Sequence, residues 1–191
     1  MQHRLTTPLS EADARQLKLE DTVLLDGTMF GIRDATQIRI FDEGIDPPAD
    51  LTGAVCLHTA PGVRKRADGS YEKLSIGTTT SARMDRFAPG LLEKYGVRAI
   101  VGKGGLLDES VAAMARFGGV YLAIVGGAAA LATQQIQSID HVWWEDLMPE
   151  CFWQFRVKDF GPLIVAIDAH GNSLYKDVQQ RAAERIRAIQ F

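Results

Sequence analysis

The chain has 191 residues, of which 46% are hydrophobic and 24% are charged, and its formal net charge at pH 7 is −3. These values are typical of one globular domain with a single substantial core, and the slight negative charge argues against a nucleic-acid-binding surface. No apolar run approaches the about 20 residues of a membrane-spanning helix, and Met1–Arg4 lacks the apolar core of a signal peptide, so we expect a cytoplasmic protein.

The first part of the chain, up to about Gly77, is rich in predicted strands. Short helices are expected at Glu11–Leu17 and after Arg33. Proline, glycine and charged residues predict loops at 46–50 and 64–70. The predicted strands lie at 4–9, 22–32, 53–60 and 73–76.

Four hydroxyl side chains and a guanidinium follow the predicted strand end at Leu74–Ile76, in the segment Gly77–Asp85. Residues Met84–Leu92 have the spacing of apolar and charged side chains that predicts a helix, so the hydroxyls lie at a strand-to-helix turn. Such a turn can bind a carboxylate or phosphate through the unpaired N–H groups of the helix start. The alternative is that Thr79–Ser81 only caps the helix.

A second turn of the same kind contains Lys103. The predicted strand Val97–Val101 leads into Gly102–Gly105, and a helix with apolar residues at i, i+3 and i+4 is predicted at Asp108–Phe117. Ligands gather at the carboxyl ends of strands in sheets with crossover helices, so the two turns can place Arg83 and Lys103 in one crevice. A lone lysine in a glycine loop can also be a solvated surface charge, but two cationic turns of one architecture favour a site for a doubly charged anion.

From Thr80 onward, predicted helices alternate with short strands. The strands are expected at 120–125, 139–144, 153–157 and 162–168, and a charged helix is expected at 176–190. This alternation predicts an α/β domain with right-handed crossovers and a partly parallel sheet. We expect a single domain that spans residues 1–191.

Several segments, taken together and in order, resemble one known family. They are LTTP at Leu5–Pro8, GIRD ending at Asp34, GTTTSARMD at Gly77–Asp85, VGKGG at Val101–Gly105, GGAAALA at Gly126–Ala132 and the stretch Val157–Tyr175. The chain resembles the beta subunit, or the equivalent carboxyl-terminal domain, of class I iron–sulfur hydro-lyases, the family of fumarase and L(+)-tartrate dehydratase. The resemblance covers almost the whole chain and implies a swivelling β/β/α domain with crossover helices.

The same resemblance implies a hydro-lyase that reversibly removes water from a four-carbon hydroxy-dicarboxylate, such as L(+)-tartrate or malate. It implies a hetero-oligomer in which a partner alpha subunit carries a four-iron four-sulfur cluster and this chain is inactive alone. Matched motif by motif, it assigns substrate binding to Arg33, Thr80 and Arg83, and catalysis to Thr79, as the base, and to Lys103.

The residue types suit these roles. Planar guanidinium groups bind carboxylates bidentately, which fits Arg33 and Arg83. Removing a proton beside a carboxylate builds negative charge, which a fixed cation such as Lys103 stabilises in the transition state. A threonine hydroxyl is a poor base at its ordinary acidity, so Thr79 could act only in a strongly electropositive, dehydrated site.

The cysteine count bears on the cluster. The chain has two cysteines, Cys56 and Cys151, fewer than an iron–sulfur cluster of this type needs. Both lie in apolar segments, where a cysteine usually acts as a small core residue. The four histidines show no spacing typical of metal ligands. We therefore expect this chain alone to bind neither a cluster nor a metal ion.

Three positions depart from the family pattern. Gln37 stands where the family commonly has a histidine, Thr78 where proline is usual, and Ala82 where glycine is more usual. Gln37 can hydrogen-bond but cannot titrate, so any proton-transfer role there is lost. The reaction class is kept, whereas the substrate stays open between tartrate, malate or fumarate, and methylated relatives. The alternative function is a non-catalytic module that binds a carboxylate or serves assembly.

Overall fold

A computed structural model describes residues 1–124 and 126–189 of the chain. In chain order these residues form β1 (Gln2–Thr6), α1 (Glu11–Arg15), β2 (Thr22–Ile32), α2 (Asp34–Phe41), β3 (Val55–His58), β4 (Gly62–Lys65), β5 (Tyr71–Ser75), a 3₁₀ helix (Ser81–Phe87), α3 (Ala88–Glu93), β6 (Ala99–Gly102), α4 (Asp108–Phe117), β7 (Val120–Ala123), α5 (Gly126–Leu131), a second 3₁₀ helix (Ala132–Gln135), β8 (Ile136–Trp143), a third 3₁₀ helix (Glu145–Leu147), β9 (Phe152–Ile167) and α6 (Leu174–Ala188).

Seven strands form one sheet in the order β1-β2-β3-β6-β7-β9-β8. The pairs from β1 to β7 are parallel, and β9 runs antiparallel to β7, β8 and β2. Because β2 pairs with β9 as well as with β3, the hydrogen bonding closes a ring through β2, β3, β6, β7 and β9. The predicted α/β class, with a partly parallel sheet and crossover helices, is confirmed.

Alternate side chains of the strands pack into two separate cores, as the twofold repeat of a strand requires. One core contains Val23, Leu57, Val101 and Leu122, together with Trp153, Phe155 and Phe160 of β9. The other core joins the opposite strand faces, for example Ile32, Cys56, Ile100 and Tyr121, to α2, α3 and α4. These three helices therefore cover one face of the parallel strands, and α2 and α4 follow the carboxyl ends of β2 and β6.

The β4–β5 hairpin is the largest departure from the sequence prediction. The segment 64–70 was expected to be a loop, but Arg64 and Lys65 belong to β4, which pairs with β5 in a separate two-stranded sheet. Leu74, in the predicted strand 73–76, is 51% exposed, and the buried Ile76 follows β5. Because this hairpin lies outside the main sheet, its strands are largely exposed to solvent. They therefore carry the charged residues that are also typical of loops.

One further element differs from the prediction, and the terminal helix follows it. The segments 153–157 and 162–168 were expected to be separate strands, but they form the single 16-residue strand β9. The pairing of β9 with β2 continues along this strand through two shifts of register, between Val23 and Leu25 and between Leu25 and Gly27. The terminal helix α6 follows the predicted charged pattern and has no buried residue, although its predicted end at Gln190 lies outside the described residues. Among the residues that the structure describes, every helix is too short or too polar to cross a bilayer.

Candidate active site

The two arginines of the predicted site, Arg33 and Arg83, both contact the carboxylate of Asp34. Arg33 follows the end of β2 and precedes α2, whereas Arg83 lies on the 3₁₀ helix Ser81–Phe87. The Arg83 Nη2 and Nε atoms lie 2.8 and 3.4 Å from Asp34 Oδ2 and Oδ1. The Arg33 Nε atom lies 3.2 Å from Asp34 Oδ2. The structure therefore brings the two guanidinium groups side by side.

Glu150 is a second carboxylate at this place, which the sequence analysis missed. Its Oε1 lies 3.3 Å from Arg33 Nε, and its Oε2 accepts a 2.8 Å hydrogen bond from the N–H of Ala35. Arg33 makes no side-chain cap for α2, so Glu150 takes that place in the first turn. Because Arg33 approaches both carboxylates with Nε, its two terminal nitrogens can bind a ligand.

Asp34 and Arg83 each stabilise the charged form of the other. Hydrogen bonds from Arg83 are the main reason that the pKa of Asp34 lies below its usual value, and partial burial opposes them. Asp34 in turn raises the pKa of Arg83. The Asp34 carboxylate and the Arg83 guanidinium are therefore fully charged near neutral pH.

The threonine turn is bound directly to Lys103. The N–H of Ser81 donates to the Lys103 carbonyl at 2.8 Å, and the N–H of Lys103 donates to the Thr79 carbonyl at 3.4 Å. Thr80 and Lys103 pair as an isolated parallel bridge. Lys103 follows the end of β6, so backbone hydrogen bonds place it beside Thr79 and Thr80.

The threonines do not act as simple helix caps. Thr80 is the N-cap of the 3₁₀ helix but makes no capping hydrogen bond with its side chain. The Thr79 hydroxyl instead accepts a 3.4 Å hydrogen bond from Arg83 Nη2. The N–H groups of Thr79 and Ser81 are already bonded to the carbonyls of His58 and Lys103, so these two groups are not available to an anion. Anion binding at this helix start stays a prediction.

A cavity of about 370 Å³ opens at this turn. Its lining consists of Arg33, Ala60, Gly62, Ser75, Gly77, Thr78 and Thr79. This volume lies within the range of small-molecule sites, about 300–1,000 Å³. A larger cavity, of about 440 Å³, lies beside α6, but its lining of residues such as Ala123, Ile164 and Val178 includes no charged side chain. Of these two cavities, the one beside Arg33 suits a carboxylate.

Beneath the turn lies a buried network of hydroxyl groups and an imidazole, which sequence reasoning also missed. Ser81 Oγ lies 2.9 Å from His58 Nδ1 and accepts a 2.9 Å hydrogen bond from the Tyr121 hydroxyl. All three residues are 0% exposed. Burial lowers the pKa of His58 to about 3, although the charge of Asp34 acts in the opposite direction, and burial raises the pKa of Tyr121. Both side chains are therefore neutral near pH 7.

Two other motif residues have structural contacts. Gln37, at the position of the family histidine, is 0% exposed, and its Nε2 donates to the Arg33 carbonyl at 3.4 Å. In this chain Gln37 thus supports the backbone of Arg33. Asp85 accepts hydrogen bonds of 2.6 Å from the N–H of Leu107 and 2.5 Å from the Ser110 hydroxyl. Asp85 thereby fixes the start of α4, which follows the Lys103 loop.

The cysteines do not suit an iron–sulfur cluster. Cys56 and Cys151 are both 0% exposed, and burial raises their thiol pKa values to about 12 and about 11. Thiols of this kind stay protonated, whereas iron binds thiolates. In residues 1–124 and 126–189, no group of three or more His, Cys, Asp and Glu side chains could hold a metal ion. The side chains that the structure describes therefore do not fit the cluster.

Known proteins are similar to this chain over nearly its whole length. The family described as Fumarase C-terminus matches residues 2–178. The L(+)-tartrate dehydratase subunit beta of Escherichia coli is 39% identical over 186 residues, which cover 97% of this chain and 92% of that relative. A Methanocaldococcus jannaschii relative, provisionally given the same name, is 37% identical over 95% of each chain. A Geobacillus stearothermophilus relative, provisionally named a class I fumarate hydratase, is 36% identical over 95% of this chain but only 35% of its own length.

Proposed function

Because this chain belongs to the Fumarase C-terminus family, we propose that it is the beta subunit of a two-component hydro-lyase that acts on a four-carbon hydroxy-dicarboxylate. L(+)-tartrate is the first substrate to test, since the Escherichia coli relative is named for it. In this proposal a partner alpha subunit carries the iron–sulfur cluster, and this chain supplies cationic and hydroxyl side chains to a shared site. The expected cytoplasmic location is part of the same proposal.

The observation that carries the proposal is the meeting of Arg33 and Arg83 at Asp34, next to Thr79 and beside the loop of Lys103. In this proposal the Lys103 ammonium joins the two guanidinium groups, so that three cations face the two carboxylates, Asp34 and Glu150, and leave an excess of positive charge. Such an excess attracts a dicarboxylate, which carries two negative charges. Two neighbouring guanidinium groups also match the planar geometry of carboxylates.

Each side chain then has a role. Arg33 and Arg83 bind the substrate carboxylates, and the hydroxyl of Thr80 adds a hydrogen bond. Lys103 stabilises the negative charge that builds when a proton leaves the carbon beside a carboxylate. Thr79 is the candidate base, because its hydroxyl lies 3.4 Å from Arg83 Nη2 and a cation at that place favours the ionised hydroxyl.

The exposure of the site supports a need for a partner. The Arg83 side chain is 50% exposed, and Thr80 is also exposed. A threonine base and carboxylate-binding cations work well only where water is excluded. A partner subunit that covers this surface would exclude water, so we expect the isolated chain to be inactive.

The test is to purify this chain anaerobically with the cluster-bearing polypeptide and to assay L(+)-tartrate, malate, fumarate and methylated relatives. We expect the complex to dehydrate L(+)-tartrate to oxaloacetate, and neither polypeptide alone to do so. If a complex with an intact cluster turns over none of these acids, the proposal fails. The chain would then be a non-catalytic module for carboxylate binding or assembly.

A further inference from the structure

We propose that His58, Ser81 and Tyr121 form a buried positioning network that fixes the segment Thr79–Arg83 against Lys103, an inference that rests on the proposed function. The three side chains come from β3, the 3₁₀ helix Ser81–Phe87 and β7, and all are 0% exposed. None of them lines the cavity beside Arg33. They would therefore act on the reaction through the residues that they hold.

Ser81 is the centre of this network. Its Oγ contacts both the His58 imidazole and the Tyr121 hydroxyl, each at 2.9 Å. Its backbone N–H donates to the carbonyl of Lys103 at 2.8 Å. One residue thus connects a histidine on β3, a tyrosine on β7 and the lysine that follows β6.

His58 holds the same turn a second time, through its backbone. Its carbonyl accepts hydrogen bonds from the N–H of Thr79 at 2.9 Å and from the Thr78 hydroxyl at 3.1 Å. The next residue, Thr59, donates its N–H to the carbonyl of Ile32, which directly precedes Arg33. A shift of His58 would therefore move the threonine turn and would also disturb the strand end that leads to Arg33.

The network also packs directly against the residue before Lys103. A Cβ atom at Gly102 would lie 1.9 Å from Ser81 Oγ and 2.9 Å from the Tyr121 hydroxyl. The two hydroxyl groups thus occupy the space where a side chain of residue 102 would lie. Their position therefore limits how closely β6 and the turn approach, and so limits the position of Lys103.

Stability alone does not explain a histidine at this place. In the described part of the chain, His58 Nε2 is buried without a hydrogen-bond partner, and such an atom lowers stability. The ring stays uncharged near neutral pH, since burial lowers its pKa to about 3. An apolar side chain could fill the space without an unsatisfied nitrogen, but it could not hydrogen-bond Ser81. Side chains that lower stability, such as a histidine with an unsatisfied buried nitrogen, are expected at functional sites.

The first experiment removes single hydroxyl groups in the assembled complex. Tyr121→Phe and Ser81→Ala should each lower kcat/KM about tenfold, chiefly through kcat, since one hydrogen bond is worth roughly that factor in a positioned transition state. The double variant should have a kcat/KM no lower than that of the less active single variant, because both changes break the same network. Tyr95→Phe is the control, since its hydroxyl bonds Asp46 at the surface. Unchanged kcat/KM in Tyr121→Phe and Ser81→Ala would overturn the inference.

The second experiment tests the imidazole by a conservative change. His58→Asn keeps a polar atom near the position of Nδ1 and should retain most of the activity, whereas His58→Leu should not. Because the ring is neutral, the pH profile of His58→Asn should have the shape of the wild-type profile. Loss of one limb of that profile would overturn the positioning role in favour of proton transfer.

A measurement without turnover separates this inference from the proposed function. If the wild-type complex is inactive, the proposed function fails, and the network can still be tested in the isolated chain by nitrogen-15 NMR of the imidazole. We expect His58 to stay neutral between about pH 5 and 8. We also expect Ser81→Ala to change the Nδ1 shift. A His58 that titrates in this range, or an Nδ1 shift unaffected by Ser81→Ala, would overturn the network.

Discussion

Replacing Arg83 with lysine should lower activity while leaving stability nearly unchanged, and Arg86 offers a matched control. Both arginines lie on the 3₁₀ helix Ser81–Phe87, and their side chains are 50% and 59% exposed. Arg83 binds Asp34 through Nε and Nη2, and Arg86 binds Asp42 through Nη1 and Nη2 at 2.9 and 2.6 Å. Only Arg83 contacts Thr79 and lies at the proposed site.

The magnitude follows from what lysine cannot do. Exposed ion pairs contribute little to stability, and lysine keeps the positive charge, so both variants should unfold close to the wild-type temperature. Arginine can bind Asp34 and a substrate carboxylate with different nitrogens of one planar group. Lysine has a single nitrogen and cannot bind both in this way. Loss of one charge-assisted hydrogen bond to the substrate, about 1.5–3 kcal/mol, corresponds to a fall in kcat/KM of about 10- to 150-fold for Arg83→Lys. Arg86→Lys should stay close to wild type.

The assay is steady-state kinetics of the assembled complex with L(+)-tartrate, together with thermal unfolding of the isolated chain. Size-exclusion chromatography should show that both variants assemble with the partner to the same extent. Equal kcat/KM in the two variants, or a loss in Arg83→Lys that only follows reduced assembly, would refute the reasoning about this site.

Two further predictions concern the packing and charge beneath the site. Gly102→Ala should lower the free energy of unfolding by about 1–3 kcal/mol, because the added methyl group overlaps Ser81 Oγ. Urea unfolding measures this change. The control is Gly127→Ala, which should not be destabilised because its methyl group meets open space. For His58, the pKa is 6.5 when unfolded and about 3 when folded. Between these values the unfolded chain binds a proton that the folded chain does not, so the free energy of unfolding should fall by up to about 1.4 kcal/mol for each unit of decreasing pH. In His58→Asn this part of the slope should disappear, and an identical slope in both proteins would contradict the assignment.

Local patterns in the sequence predicted most of the elements. The helix Asp108–Phe117 has the predicted bounds, because its apolar spacing is a local signal. The β4–β5 hairpin was predicted poorly, because strands outside the main sheet lack the apolar alternation of buried ones. Whether β9 is one strand or two depends on its partners along β2, which no local window contains.

The sequence by itself determined the family resemblance and the five candidate residues, Arg33, Thr79, Thr80, Arg83 and Lys103, because each lies in a short motif at a predicted strand end. Their roles in binding and catalysis stay predictions. Only the tertiary structure decided that the two arginines share Asp34, that Glu150 completes the start of α2, and that Ser81 joins His58 and Tyr121. Apart from the contact between the neighbours Arg33 and Asp34, those contacts join residues far apart in the chain. Strand order and register bring these residues together, and periodicity and composition do not encode either.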